Sequence, residues 1–142
     1  MIYQSSVITE YLDETYSQIP LMPQDPVDRM QIRLWTYWCD NLFKRDLDLF
    51  KYKRPSLNEE ENLNLLSRLH THFSKWDHAL QANNFLITNR LTLADIHPFP
   101  FARQFFTIKD ASCFVERYEK IQEWLHAMVS RPSFVKTMLK SL

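Results

Sequence analysis

Five histidines are the first place to look for chemistry in this chain. His70, His72 and His78 fall on one helical stretch, but their offsets of 2, 6 and 8 residues give no i,i+4 pair of metal ligands, and HExxH is absent. His97 and His126 stand alone, so all five read as surface or edge-of-core side chains and no metal site is expected. Glu59, Glu60 and Glu61 crowd a first helical turn, where they complement the helix dipole; this reading outweighs a catalytic carboxylate pair. Lys51, Lys53 and Arg54 with Tyr52 between them make a small basic cluster, a weak nucleic-acid signature in a neutral domain. Cys39 and Cys113 lie far apart with no CxxC or Cys/His spacing. One disulfide could be drawn between them, and two reduced, buried thiols are expected instead. Gln4-Ser5-Ser6 is the chemically suggestive group. At a helix start, free amides and the dipole favour a carboxylate, and a hydroxyl and an amide side chain could hold a zwitterionic amino-acid head group. The plainer reading of the same residues is an N-cap.

Composition narrows what could surround such a site. The chain has 142 residues, one ordinary domain, with 17 Lys+Arg against 17 Asp+Glu, so no net field draws it to nucleic acid or an anionic membrane. It contains no glycine, where average usage would give roughly ten. Phosphate loops, dinucleotide fingerprints, nucleophile elbows and EF-hand loops need glycine where a side chain would block the backbone, so none is built here. No basic region precedes an apolar run at the N-terminus and no stretch nears 18 apolar residues. A soluble, cytoplasmic protein is the expectation.

The elements that must position these groups read as helices throughout. Ser5 and Ser6 open a helix whose stripe is Val7, Ile8, Tyr11 and Leu12, ending near Tyr16. A stretch with Pro20, Pro23 and Pro26 is the clearest linker. Asp25-Pro26 then signals a long helix to about Phe50, with Val27, Met30, Leu34, Trp38 and Leu42 as its apolar line and Trp35 and Phe43 widening it. Ser56 and Glu59 spell a capping box for a helix with the seam Leu66, Leu69, Phe73, Trp76 and Leu80, stopped by Asn83-Asn84 as a left-handed cap. Thr92 and Asp95 form a second capping box, flanked by Leu91 and Ile96 as a hydrophobic staple. Pro98 and Pro100 predict a kink in the helix that follows. Tyr118, Ile121, Leu125 and Met128, with Trp124 beside them, mark another helix, and Ser133 caps a last one. The fold class is all-α, a bundle of five to seven helices.

Four blocks in this order resemble the cytosolic glutathione S-transferases and cover nearly the whole chain. Gln4-Ser5-Ser6-Val7-Ile8-Thr9-Glu10-Tyr11-Leu12-Asp13-Glu14 resembles the end of that family's thioredoxin-like half. Pro20-Leu21-Met22-Pro23 with Asp25-Pro26 and Arg29 resembles its interdomain linker and first C-terminal helix. Leu91 to Ile96 resembles its capping-box motif, and Trp124 before Arg131-Pro132-Ser133-Phe134 its C-terminal signature. The stretch Phe99-Pro100-Phe101 to Arg103-Gln104-Phe105 is similar to bacterial members. The family's glycine before the capping motif is absent from Ile87-Thr88-Asn89-Arg90, and Asn89 is the substitute turn residue.

The resemblance implies residues 1–19 as the last helix of a thioredoxin-like domain, 20–25 as linker and 26–142 as the helical C-terminal domain, folded as a glutathione S-transferase C-terminal bundle. It implies glutathione as substrate, held through its γ-glutamyl carboxylate and amine by Gln4 and Ser5. The electrophile pocket would be lined by Arg33, Trp35, Tyr37 and Trp38, with Thr92 and Asp95 structural. It implies a homodimer, no metal, no nucleic acid and no membrane. In the family the thiol-activating Tyr, Ser or Cys lies upstream of the block at Gln4. The expectation is therefore a truncated form with no catalytic residue of its own and little activity alone. The alternative is a non-catalytic helical protein-interaction domain, which neutral charge and abundant Trp and Phe would suit.

Overall fold

The computed structural model describes residues 3–108 and 111–139, and no strand occurs among them. They form nine α-helical segments, six of which have seven residues or more. The class is all-α, with the expected number of principal helices.

Helix α1 (Ser5–Tyr16) is followed by the proline-rich connection. Helix α2 (Pro26–Trp38) starts where the sequence says: Asp25 Oδ1 accepts the amides of Val27 at 2.9 Å and Asp28 at 3.0 Å, and Pro26 takes the first helical position, where a missing N–H costs nothing. The rod continues through a π-helical turn (Cys39–Phe43), α3 (Lys44–Asp48), a second π turn (Leu49–Lys53) and a 3-10 turn (Arg54–Ser56). It therefore outruns the expected break at Lys51. Helix α4 (Glu59–Ala82) is capped by Asn58 and Glu61, whose side chain and backbone groups exchange two hydrogen bonds of 2.9 Å. The box is thus two residues later than Ser56 and Glu59, because Ser56 is spent on the preceding 3-10 turn, where its hydroxyl donates to the Lys53 carbonyl.

Short helices α5 (Leu93–Ile96) and α6 (Phe99–Phe105) follow, then α7 (Ser112–Arg117), α8 (Glu119–Val129) and α9 (Pro132–Leu139). Three sequence expectations change here, and the turn role of Asn89 holds. The prolines separate α5 from α6 instead of kinking one helix, since Pro100 is accommodated in the first turn of α6. Helix α9 begins at Pro132, so Ser133 lies within it. Asn83 ends α4 in extended backbone (φ −143°), not as a left-handed cap. Asn89 serves its turn with a side-chain oxygen that accepts the Asn84 amide at 3.0 Å, doing by hydrogen bonding what glycine would do by φ.

Helix α4 is the axis of the core, packed between α3 and α8. Leu65, Leu69, Phe73, Trp76 and Leu80 are its buried line, with Leu66 at its edge. Trp76 meets Trp38 at 5.8 Å, Phe43 at 5.6 Å and Trp124 at 5.2 Å between ring centroids, all edge-on, the favourable arrangement for aromatic quadrupoles. Cys39 is a free, fully buried thiol, and burial pushes its pKa well up, so it is inert. The Cys113 side chain lies outside the described residues.

Two buried carboxylates organise the polar interior. Asp95 accepts four donors at 3.0 Å each: the amides of Leu86 and Thr92, the Thr92 hydroxyl and the Trp124 indole. The capping box with Thr92 therefore also ties the 86–92 connection and α8 together. Burial pushes the Asp95 carboxyl up against the pull of those donors. Asp46, on α3, is held by Arg68 Nε at 3.1 Å and by His72 Nε2 at 3.0 Å. His72 Nδ1 accepts from the Trp38 indole at 3.1 Å, so its proton sits on Nε2 and it donates to Asp46 as a neutral ring. Burial lowers the pKa of His72, outweighing the pull of Asp46.

Candidate functional site

A cleft of about 640 Å³ runs between α1 and the rod. One wall is the start of α1: Gln4, Ser5, Ser6 and, a turn on, Glu10. The other is one face of the rod: Arg33, Thr36 and Tyr37 from α2, Asp40 and Asn41 from the first π turn, and Lys44 from α3, with Phe101 of α6 at the side.

Local geometry explains why the start of α1 is open. The serine caps expected from sequence are not made. Ser5 is the first helical residue, Gln4 stands at the cap position, and no side chain caps the free amides of the first turn. Gln4 has φ 74° and ψ 120°, the sole positive φ among the described residues. A side-chain-bearing residue there stores about 1–3 kcal/mol of strain, held by the surrounding structure. In a chain with no glycine, that strain falls at the mouth of the cleft.

The electrostatics are mostly self-neutralised. Arg33 grips Glu10 across the cleft, Nε to Oε1 at 3.1 Å and Nη2 to Oε2 at 2.8 Å, which raises the guanidinium pKa. Lys44 donates to Asp48 at 2.7 Å and is raised by it. Asp40 faces the cleft with no ion pair among the described residues. The site thus offers uncapped amides and serine hydroxyls at one end and a carboxylate at the other. That pairing suits a ligand carrying both a carboxylate and an ammonium group.

Gln4, Ser5, Arg33 and Tyr37 meet in this cleft, whereas Trp35 and Trp38 do not. Trp35 (8% exposed) and Trp38 (5%) point the other way, into the core, where Lys75 Nζ lies over their rings at 4.6 and 5.0 Å. Helical phase is the reason. Positions 33, 36, 37, 40, 41 and 44 share one face of the rod, and 35, 38 and 39 the opposite one. That spacing was the available signal for Thr36, Asp40, Asn41 and Lys44, which the choice of Arg33, Trp35, Tyr37 and Trp38 passed over. The π turn places Asp40 and Asn41, and such turns recur at functional sites. Thr92 and Asp95 stand in the core, apart from the cleft.

The same face rule corrects the expected line of α2. Val27, Met30, Leu34 and Leu42 are exposed, and the buried face carries Ile32, Trp35, Trp38, Cys39 and Phe43. Helix α1 is inverted more completely. Its inward stripe, Ser6, Thr9, Glu10 and Asp13, is polar, and Val7, Ile8, Tyr11 and Leu12 face outward. Asp13 anchors it, accepting the amides of Leu21 at 2.8 Å and Met22 at 2.9 Å and the Ser17 hydroxyl at 2.9 Å.

This bundle, with an N-terminal helix laid against it across a polar cleft, is a fold shared with solved glutathione-transferase-type proteins. A glutathione transferase from Burkholderia graminis, solved with two glutathione molecules bound per subunit, superposes with a TM-score of 0.80 at 20% identity, over 95% of this chain and 58% of that one. The beta-etherase LigF from Sphingobium sp. strain SYK-6 does so with a TM-score of 0.76 at 20% identity, over 98% of this chain and 74% of that one. The family model for the glutathione S-transferase C-terminal domain matches residues 42–132, and the chain belongs to that family. Among curated relatives, glutathione S-transferase 3 of Glycine max is 26% identical over 140 residues, 96% of this chain and 62% of the relative. The chain thus spans less than two thirds of that relative's length. Among the described residues, no helix is long and apolar enough to cross a membrane.

Proposed function

We propose that this chain is the glutathione-recognising helix and helical domain of a glutathione transferase, binding the γ-glutamyl end of glutathione at Gln4 and Ser5. The observation that carries this is the uncapped start of α1, with its strained Gln4, opening into a polar cleft. Free amides of the first turn and the Ser5 hydroxyl receive the γ-glutamyl carboxylate. The Gln4 side chain receives the ammonium group, and Asp40 supplies the counter-charge in the same cleft. Arg33 and Tyr37 line the approach of the second substrate, an electrophilic small molecule. The reaction is attack of the glutathione sulfur on that electrophile, with displacement or addition at its electron-poor carbon. The thiol proton is lost first, so the group that takes or stabilises it controls the rate.

In this reading residues 1–19 are the last helix of a thioredoxin-like unit, 20–25 the linker and 26–142 the helical domain. The thiol-activating residue belongs to the rest of that unit, so this chain alone conjugates little. Outward-facing Val7, Ile8, Tyr11 and Leu12 on α1 are the surface that unit covers, and Val27, Met30 and Leu34 on α2 suit a homodimer contact. A cytoplasmic location and a kinship with bacterial members belong to the same proposal.

Calorimetric titration with glutathione, alongside a conjugation assay with a generic aromatic electrophile, tests it. The expected result is millimolar or tighter binding, weakened several-fold in Ser5→Ala, with no conjugation above the buffer rate. Absence of glutathione binding in a folded chain would overturn the reading and leave the helical interaction domain as the alternative. Sedimentation checks the dimer: a strict monomer would remove that part of the proposal.

A further inference from the structure

Helix α1 has an unusual problem: its inward stripe is polar, so packing of apolar surface cannot fix the first turn on which the cleft depends. Its ion pairs to the rod are Glu10 with Arg33, half exposed, and Glu14 with Arg29 at 3.5 Å. Exposed pairs of this kind hold little. One contact of a different character reaches the same helix. Nε2 of His97, in the turn between α5 and α6, lies 2.9 Å from the hydroxyl of Thr9, across 88 residues of sequence. His97 is 9% exposed. The Thr9 hydroxyl in turn donates to the carbonyls of Ser5 and Ser6, both at 3.0 Å. A hydroxyl has one proton, and both helix carbonyls lie within its reach; with the proton placed there, the ring is the donor in the hydrogen bond to His97.

We propose that His97, as its Nε2–H tautomer, is a positioning residue for the glutathione cleft. It clamps the Thr9 hydroxyl, and through it the Ser5 and Ser6 carbonyls, so that the first turn of α1 stays registered against the rod. Burial lowers the pKa of His97 despite the nearby carboxylates of Asp40 and Glu10, so the ring is neutral near pH 7 and holds one donor and one acceptor nitrogen. The role in ligand binding rests on the reading of the cleft given above. The clamp itself does not.

The test compares His97→Leu, His97→Gln, Thr9→Val and the double variant Thr9→Val/His97→Leu with the parent chain. Two readouts are taken: amide hydrogen exchange along α1 and calorimetric glutathione affinity. Glutamine places an N–H near the position of Nε2, and leucine keeps bulk without a donor. His97→Leu is expected to speed exchange in α1 by about tenfold, the equivalent of one lost buried hydrogen bond. His97→Gln should restore rates to within about threefold of the parent. The double variant should be no faster than the worse single, because both changes break the same link. Glutathione affinity should follow the same order.

Unchanged exchange in His97→Leu would overturn the clamp. Equal loss in His97→Leu and His97→Gln would also overturn it, since ring packing and not donation would then be the cause. Imidazole ¹⁵N shifts add a check that needs no variant: a neutral ring protonated at Nδ1 would refute the assignment. If the parent chain binds no glutathione, the reading of the cleft fails while exchange still judges the clamp. If the parent binds and His97→Leu binds equally well with faster exchange, the positioning role is refuted and the clamp alone remains.

Discussion

Helices α1 and α4 are both amphipathic, and they face opposite ways. Helix α4 turns Leu65, Leu69, Phe73, Trp76 and Leu80 inward, and dispersion and burial hold it. Helix α1 turns Ser6, Thr9, Glu10 and Asp13 inward and leaves Val7, Ile8, Tyr11 and Leu12 to the outside. One is fixed by its apolar face, the other by a few directed hydrogen bonds. Periodicity reveals that a helix has an apolar face but not what will cover it. The stripe on α1 was legible at once, and its direction was not. Helix α2 teaches the same lesson, because Val27, Met30 and Leu34 repeat as cleanly as any core seam yet are exposed.

If α4 is held by packing, truncation there should give the largest effect. Phe73 is fully buried, meeting Phe43 edge-on and Phe105 and Phe114 at tilted angles. Phe73→Ala should cost about 4 kcal/mol in urea unfolding. A loss below about 1 kcal/mol would mean that the core collapses around the site far more readily than cores of this kind do.

Two of the three buried aspartates among the described residues, Asp95 and Asp13, sharpen the contrast. Asp95→Ala strands four donors, and a loss of about 3 kcal/mol or more is expected. Asp13→Ala strands two linker amides and one hydroxyl, and about 2 kcal/mol is expected. Most of the Asp13 loss should show as faster amide exchange confined to α1 and the linker, because nothing apolar holds that helix. Global unfolding in Asp13→Ala with no local signature would erase the distinction between the two regions.

Legibility followed the same division. The Thr92 and Asp95 box was plain in sequence because both partners lie within one turn. The reach of Asp95 to Leu86 and Trp124 was not, since those donors arrive by tertiary folding. Asp25-Pro26 was readable for the same local reason. The strained Gln4, the amides that Asp13 collects and the link of His97 to Thr9 had no local signature. Of the cleft, Gln4, Ser5, Arg33 and Tyr37 were anticipated. Trp35 and Trp38 lie on the opposite, buried face of the rod, a matter of helical phase that residue type does not carry.

Acid separates the regions by charge. His72 is neutral when folded, and burial lowers its pKa. In the unfolded chain it takes a proton near pH 6.5. Stability from His72 is therefore complete above about pH 6.5 and is lost as pH falls below it, by at most about 1.4 kcal/mol per pH unit. Protonation at Nδ1 would also remove the acceptor of the Trp38 indole, so core tryptophan fluorescence should report the transition. A His72→Gln variant should flatten the slope below pH 6.5. An equally steep slope in that variant would assign the acid sensitivity to His70 or His97, whose pKa values burial also lowers.

The smallest stability effect is the sharpest test of the comparison. Tyr11 is on the outward face of α1 and 45% exposed, and its described ring partner is Tyr16, on the same helix, at 6.4 Å. Tyr11→Arg should change unfolding free energy by no more than about 0.5 kcal/mol, as surface substitutions do. The same change places a charge in the middle of the apolar strip formed with Val7, Ile8 and Leu12, so it should reduce any concentration-dependent association seen in sedimentation. A loss of 2 kcal/mol or more would mean that Tyr11 packs inward in solution, and the inverted helix would then be wrong. Unchanged stability with weakened association would show that this face is built to be covered by something other than the bundle beneath it.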